Sequence, residues 1–412
     1  MSFLQRLFSP PDIDKLRIKR NVKGLLKALN YKANDLVRRD AAKALCEIKD
    51  ARAVGPLISS LKDTCQEVQN YAATALGELQ DPNAIQPLID ALKGSTSYLF
   101  RQSTTEALEK FGAAAGKPLV MALKDITSSP LRQAAAETLG RIGDVGAIEP
   151  LIAALKDADA DVRQFAAEAL DKLGWQPDQE REATYWIARQ KWVKCIEVGI
   201  MAVGPLIAAL EDANWRVRHG AIRALGGIPD STVVKPIIST LKDPNWRVRN
   251  NAIKVLGELK DPRAVKPLVA ALSDIKSEVR QAATEALGAI GDPRAVELLI
   301  ATLKDSDYEV CQAAISALGE LKDPRAVEPL ISAAFKDSNP YIRKAAIKAL
   351  EAIGDAAVEP LIAALNDSQS DTRQAASEVL EKIGKARAAE PLVAVLQDAE
   401  SNIGYAVTKA LG

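Results

Sequence analysis

The chain is poor in the side chains that carry out most enzymatic chemistry. His219 is the only histidine in 412 residues. A Ser–His–Asp or Cys–His triad would have to be built on it, and nothing near it in sequence suggests a nucleophile. Cys46, Cys65, Cys195 and Cys311 are scattered, with no CxxC or Cys/His spacing. That excludes a zinc or redox motif and fits small buried residues in a reducing cytoplasm. Glycine-rich phosphate loops are absent: the glycines fall at helix ends, as in Ala-Leu-Gly-Ala-Ile-Gly at 286–291. Neither sign of charge dominates, with 54 Lys plus Arg against 54 Asp plus Glu, so no whole-chain field points to nucleic acid or membrane. No run approaches the roughly 18 apolar residues that span a bilayer. The start, Met1 to Phe8, is too short and polar for a signal peptide. It is expected to pack over the first repeat, with a surface-anchoring amphipathic turn as the alternative. No catalytic residue, metal site or cofactor is expected.

Aromatic residues make up only 4% of the chain, and alanine and leucine dominate, which favours helix. Hydrophobic residues at 48% and charged residues at 26% give enough apolar material for a large interior. That material is periodic. Asp-Pro-Arg-Ala-Val occurs at 261–265, 292–296 and 323–327, a period of 31 residues. A branched residue followed by arginine marks a second slot, filled by Arg38, Arg132, Arg163, Arg218, Arg249, Arg280, Arg343 and Arg373. Gln69, Arg101, Cys311 and Gly404 fill it elsewhere, so the slots count twelve repeats. A period of this size means a solenoid, in which each unit buries its apolar face only against its neighbours.

Within one repeat, Asp261 N-caps a helix with Pro262 in its first position. Val265, Leu268, Val269 and Leu272 form its apolar face, and Pro267 is expected to bend it. A second helix is expected over about 277–290, with Val279, Ala282, Ala283, Ala286, Leu287 and Ile290 inward and Gly291 as the stop. The Arg slot follows an acidic residue by six positions (Asp243 before Arg249, Asp212 before Arg218). Buried Arg–Asp ladders between adjacent repeats account for it, so the slot is no basic binding face.

The pattern Asp-Pro-Arg-Ala-Val-x-Pro-Leu-(Ile/Val)-x-Ala-Leu, followed by Val-Arg-x-Ala-Ala-x-x-Ala-Leu-Gly, resembles the HEAT-like repeats named after phycobilisome lyases. The resemblance covers roughly residues 20–412. It implies an all-α solenoid, a right-handed superhelix of about twelve two-helix repeats, with the second helix of each lining a concave groove. The expected organisation is an N-terminal cap over 1–20, repeats 1–5 over 21–173, an insertion over 174–198 and repeats 6–12 over 199–412. As a guide to function it is weak, because such arrays serve lyases, hydroxylases and adaptors alike. Deoxyhypusine hydroxylases of this type hold two irons through paired His-Glu motifs, and no His-Glu pair occurs here.

The insertion, of about 24 residues, holds Trp175, Trp186 and Trp192, three of the five tryptophans. A helix is expected from Asp178 to Gln190. It is either a plug fixing the angle between two sub-arrays or a docking element offering Tyr185, Trp186 and Trp192.

Positions −3, −2, +1, +2 and +5 from the Arg slot should face the groove. They give Tyr71, Tyr98, Glu106, Glu137, Phe165 and Glu168 early in the array, and Glu278, Gln281, Glu285, Tyr308, Glu309 and Glu378 late. Between them, Asn-Trp-Arg-Val-Arg recurs at 214–218 and 245–249, placing two Trp–Arg pairs one repeat apart, roughly 10 Å by helix packing distance. The expected site is Trp215, Arg216, His219, Arg223, Trp246, Arg247, Asn251 and Lys254, with Asn250 beside them. Trp and Arg dominate interface energetics; the alternative is that both tryptophans merely cover the repeat edge.

The reading that follows is a cytoplasmic, non-catalytic scaffold or adaptor that clasps an acidic protein segment. The alternative implied by the resemblance is a bilin lyase-isomerase or bilin-handling chaperone, with the same arginines on the propionates and the indoles on the conjugated plane. Nucleic acid is disfavoured by the acidic flanks. Residues 1–43 hold 11 Lys/Arg against 4 Asp/Glu. At the other end no polar capping helix follows Gly404, so that end either suffices through Gln397, Asp398, Glu400 and Lys409 or self-associates.

Overall fold

The computed structural model describes residues 10–95, 97–365 and 370–383, and among these every regular element is a helix. The chain divides into two compact units, Met1–Val198 and Gly199–Gly412, each an α-solenoid of stacked helix pairs. The longer, second helices of the pairs in the first unit are α1 (Asp35–Ile48), α2 (Gln66–Leu79), α3 (Tyr98–Lys110), α4 (Ser129–Ile142) and α5 (Ala160–Lys172). Those in the second are α6 (Trp215–Gly226), α7 (Trp246–Leu259), α8 (Ser277–Ile290), α9 (Tyr308–Leu321), α10 (Pro340–Ile353) and α11 (Ser370–Ile383). Met1–Phe8, the final repeat with Gly404, and the end expected to self-associate lie outside the described residues. At the start, Asp12 caps a short helix, Ile13–Ile18, which packs on Val22–Leu29 and α1.

The repeat is built as its residues dictate, with two corrections. The Asp261 carboxylate accepts from Arg263 N at 2.8 Å, but the turn it caps, Pro262–Ala264, is 3-10. The α-helix proper is Val265–Ala271, so Pro267 falls in its first turn. A residue there has no intrahelical acceptor for its N–H, and the expected bend has no cause. The second helix does run from Ser277 to Ile290, ended by Gly291 at φ +75°. Gly288, however, is no helix-end glycine: it lies buried inside α8. A Cβ added to it would sit 2.7 Å from Cβ of Ala317 in α9. Gly140 of α4 meets Ala169 of α5 in the same way, 2.6 Å from its Cα, and Gly257 of α7 meets Ala286 of α8 at 2.9 Å. The Gly of Ala-Leu-Gly is thus a close-approach point between successive second helices.

A ladder of ion pairs runs beside this seam. The arginine does pair across repeats, but its carboxylate partner lies 25 residues later rather than six earlier. Arg249 Nε donates to Asp274 Oδ2 at 2.7 Å and its Nη2 to Oδ1 at 2.8 Å, while its Nη1 donates to the main-chain oxygen of Asp243 at 2.8 Å. Asp243 in turn holds Arg218 through both carboxylate oxygens. Arg38–Asp63, Arg132–Asp157 and Arg280–Asp305 repeat the geometry. Each aspartate therefore joins two repeats, by its carboxylate to one arginine and by its carbonyl to the next slot. At Cys311 the rung is missing; its Sγ hydrogen-bonds the Asp305 oxygen at 3.2 Å instead.

The insertion folds as two short helices, Glu182–Ala188 and Trp192–Val198, rather than one from Asp178 to Gln190. Tyr185 is buried and joins the core of the first unit, with Trp175 and Trp186 packed around it at ring separations of 5.8 and 4.7 Å. Its hydroxyl donates to the Asp171 carboxylate, and burial together with that bond pushes the phenol up to about 12. Tyr185 is therefore not on offer to a partner, which corrects its place among the docking residues; Trp186 and Trp192 are half-buried. Tyr185→Phe is expected to lower stability by about 1 kcal/mol, the worth of one buried hydrogen bond, read as a lower thermal midpoint. An unchanged midpoint would mean that Asp171 finds a substitute donor.

One window, Trp192–Ala209, reaches a mean hydropathy of 1.6 over 18 residues, so the expectation that no apolar run is long enough for a bilayer was too strict. Its backbone is not one α-helix. Trp192–Val198 gives way to a 3-10 turn, Gly199–Ala202, with Gly199 at φ +69°, before Val203–Ala209 begins.

Candidate functional site

The two Asn-Trp-Arg-Val-Arg motifs open α6 and α7. Asn214 and Asn245 are their N-caps, accepting from the amides of Arg216 at 3.0 Å and Arg247 at 2.9 Å. Capping fixes the helix phase at its first residue, and everything after follows from 3.6-residue periodicity. Val217 and Val248 turn into the core. Arg218 and Arg249 go to the ladder. Trp215 and Trp246, half-buried, and Arg216 and Arg247, exposed, are left on the second-helix face.

There the four side chains form one stack. The Arg216 guanidinium lies 5.0 Å from the Trp215 ring centre. That of Arg247 is 4.7 Å from Trp246 and 5.7 Å from Trp215, so it joins the two repeats. Each such contact contributes about 0.5–1 kcal/mol at an exposed site. The contacts favour this arrangement in the unbound chain.

His219 meets Trp215 edge-on, with ring centres 6.3 Å apart. Burial first, and then the Arg223 charge, lower its pKa from the ordinary histidine value, which favours the neutral ring. Asn251 is committed within the protein: its amide donates to the His219 carbonyl at 2.9 Å, tying α7 to α6. Asn250 likewise donates to the Glu278 carbonyl at 2.7 Å. Arg223 and Lys254 are exposed one turn further along. Among the described residues, Arg216, Arg223, Arg247 and Lys254 form no ion pair, in contrast to the ladder arginines.

The map of this face was incomplete at α10. Tyr341, Lys344 and Lys348 occupy positions −2, +1 and +5 from Arg343, the same phase as Arg216, His219 and Arg223. They line a groove of about 710 Å³ between α9 and α10, together with Lys322 and Glu320. The same position rule would have found them.

Among the described residues no three His, Cys, Asp or Glu side chains converge as a metal site. Cys195 is buried, and burial pushes its thiol up to about 12. It stays protonated and unreactive at neutral pH.

Comparison with known proteins gives one clear match. No curated protein matches the sequence. Among solved structures, an engineered protein shares 24% identity, covering 88% of this chain and 98% of that one, at a TM-score of 0.34. Human deoxyhypusine hydroxylase in complex with glycerol shares 22%, over 76% of this chain and 99% of that one, at 0.28. Kap121p bound to Nup53p shares 16%, over 94% of this chain and 50% of that one, at 0.39. At TM-scores this low the likenesses say nothing of what the chain binds or does. The sequence itself matches the family described as HEAT repeats over residues 22–109, 113–184, 203–288, 265–334 and 327–412. With nearly the whole length matched and the helix pairs stacked as that repeat requires, the chain belongs to the HEAT-repeat family.

Proposed function

We propose that the chain is a non-catalytic scaffold whose second-helix face binds an acidic segment of a partner protein at α6 and α7. The observation that carries this is the set of four cations without ion pairs, Arg216, Arg223, Arg247 and Lys254, two of them stacked on tryptophan. An exposed cation that the protein itself does not neutralise attracts anionic ligands, and a guanidinium already packed over an indole loses less entropy when it grips a carboxylate. Trp186 and Trp192, half-buried on the insertion, are candidates for a secondary contact. Four scattered free cysteines support a cytoplasmic site of action.

The test is fluorescence anisotropy with labelled acidic peptides, a neutral peptide and a linear tetrapyrrole. The protein is wild type or the Trp215→Ala/Arg216→Glu/Trp246→Ala/Arg247→Glu variant. Acidic peptides are expected to bind wild type with marked salt dependence and to lose at least about tenfold in the variant. Tighter binding of the tetrapyrrole than of every peptide, lost in the same variant, overturns the protein-partner reading in favour of a bilin. Equal peptide binding by both proteins removes the site.

A further inference from the structure

The second-helix face of the Gly199–Gly412 unit carries its unneutralised charges in a regular order. At position −2 from the Arg slot, successive helices from α6 to α10 present Arg216, Arg247, Glu278, Glu309 and Tyr341. At position +5 they present Arg223, Lys254, Glu285, Ser316 and Lys348. All of these residues are exposed, and among the described residues none of the charged ones is in an ion pair. The face thus reads basic over α6 and α7, acidic over α8 and α9, and basic again at α10. Lys344 adds to the last block, whose groove of about 710 Å³ is also lined by Gly319, Ala349 and Tyr341. Glu320, also in the lining, reduces that positive charge without cancelling Lys322, Lys344 and Lys348.

Uniformly acidic peptide suits only part of this surface. Over Glu278, Glu285 and Glu309 it would meet like charge, which is unfavourable at contact distance. From α7 to α10 there are three helix steps, roughly 27 Å at about 9 Å per step. An extended chain covers that in about eight residues at roughly 3.3 Å each. We infer that this face takes one extended partner segment whose charges run acidic, basic, acidic, with the two acidic clusters about eight residues apart. The first cluster sits on the Trp–Arg stack, the basic stretch over Glu278 and Glu309, and the second cluster in the α9–α10 groove. This rests on the scaffold reading above and specifies the partner's sequence.

Three synthetic peptides test it on the full chain. One carries the acidic–basic–acidic order, one has the same composition with all acidic residues together, and one is a single short acidic cluster. Wild type is expected to bind the patterned peptide roughly tenfold more tightly than the rearranged one. Lys344→Glu/Lys348→Glu should abolish that preference. Equal affinity of wild type for the patterned and rearranged peptides, with both still weakened by Arg216→Glu/Arg247→Glu, overturns the pattern and leaves the scaffold reading standing. If none of the peptides responds to Arg216→Glu/Arg247→Glu, both fall together.

Discussion

Gly140→Ala is expected to destabilise the first unit by about 2 kcal/mol, although alanine is the better helix former. Two effects oppose each other. In a helix interior, replacing glycine with alanine normally contributes about 0.5–1 kcal/mol of stability. Here the new methyl would lie 2.6 Å from Ala169 Cα and 2.7 Å from its Cβ, neither of which can swing aside. Overpacking of this kind costs about 1–3 kcal/mol, near the upper end when backbone must move. The clash wins, and Gly140→Val, with more bulk and a poorer helix propensity, should lose about 3 kcal/mol. Gly55→Ala is the control, because nothing lies within 4 Å of its added Cβ. Urea unfolding should show Gly55→Ala unchanged or stabilised and Gly140→Ala with a lower midpoint. Matching midpoints would mean that α4 and α5 are free to separate.

Arg249→Ala is expected to cost about 3 kcal/mol, and the double variant Arg249→Ala/Asp274→Ala distinctly less than the sum of the singles. Both side chains of this pair are nearly enclosed, at 13% and 12% exposure. Removing one partner strands the other's charge, the expensive way to break such a pair. A double-mutant cycle separates the coupling from the damage of each single change. The rungs also set an acid limit. Arg280 holds the Asp305 carboxyl below the usual carboxylate range against its burial. At Asp274 burial pushes upward, but the bonds from Arg249 and the Lys276 amide outweigh it, and Asp63 is lowered by the same balance with Arg38 and the Cys65 amide. A carboxyl whose folded pKa lies below its unfolded value of about 3.9 contributes stability fully above that pH. The contribution disappears as pH falls through the lowered folded value. Urea midpoints should hold from pH 7 to 5 and drop below about pH 4, less steeply in Arg249→Ala. Additive single changes and an acid profile shared by wild type and variant would show the rungs to be uncoupled.

Local chemistry made much of the fold legible. Asp-Pro starts, apolar residues at helical spacing and Gly291 as a stop placed the second helix of the 261–290 repeat residue for residue. What sequence distance hid was pairing between repeats: an aspartate six residues away looked like the partner, whereas stacking brings one from 25 residues on. Proline in the first turn and glycine inside α8 were misread for the same reason, since their roles depend on where the helix begins and on what faces it. The Trp–Arg stack was readable because its motif is duplicated at the repeat period. Tyr341, Lys344 and Lys348 obeyed the same phase but lacked a conspicuous motif, and Tyr185 looked available because aromatic content alone does not show which way a ring turns.

The absent rung at Cys311 has a mechanical side. Three consecutive arginine–aspartate ties run from α6 to α9, whereas Cys311 gives α9 no such tie toward α10, and that joint rests on helix packing such as the Gly319–Ala349 contact. Under tension the joint that lacks a rung is expected to open before its neighbours, and that joint carries the lysine groove.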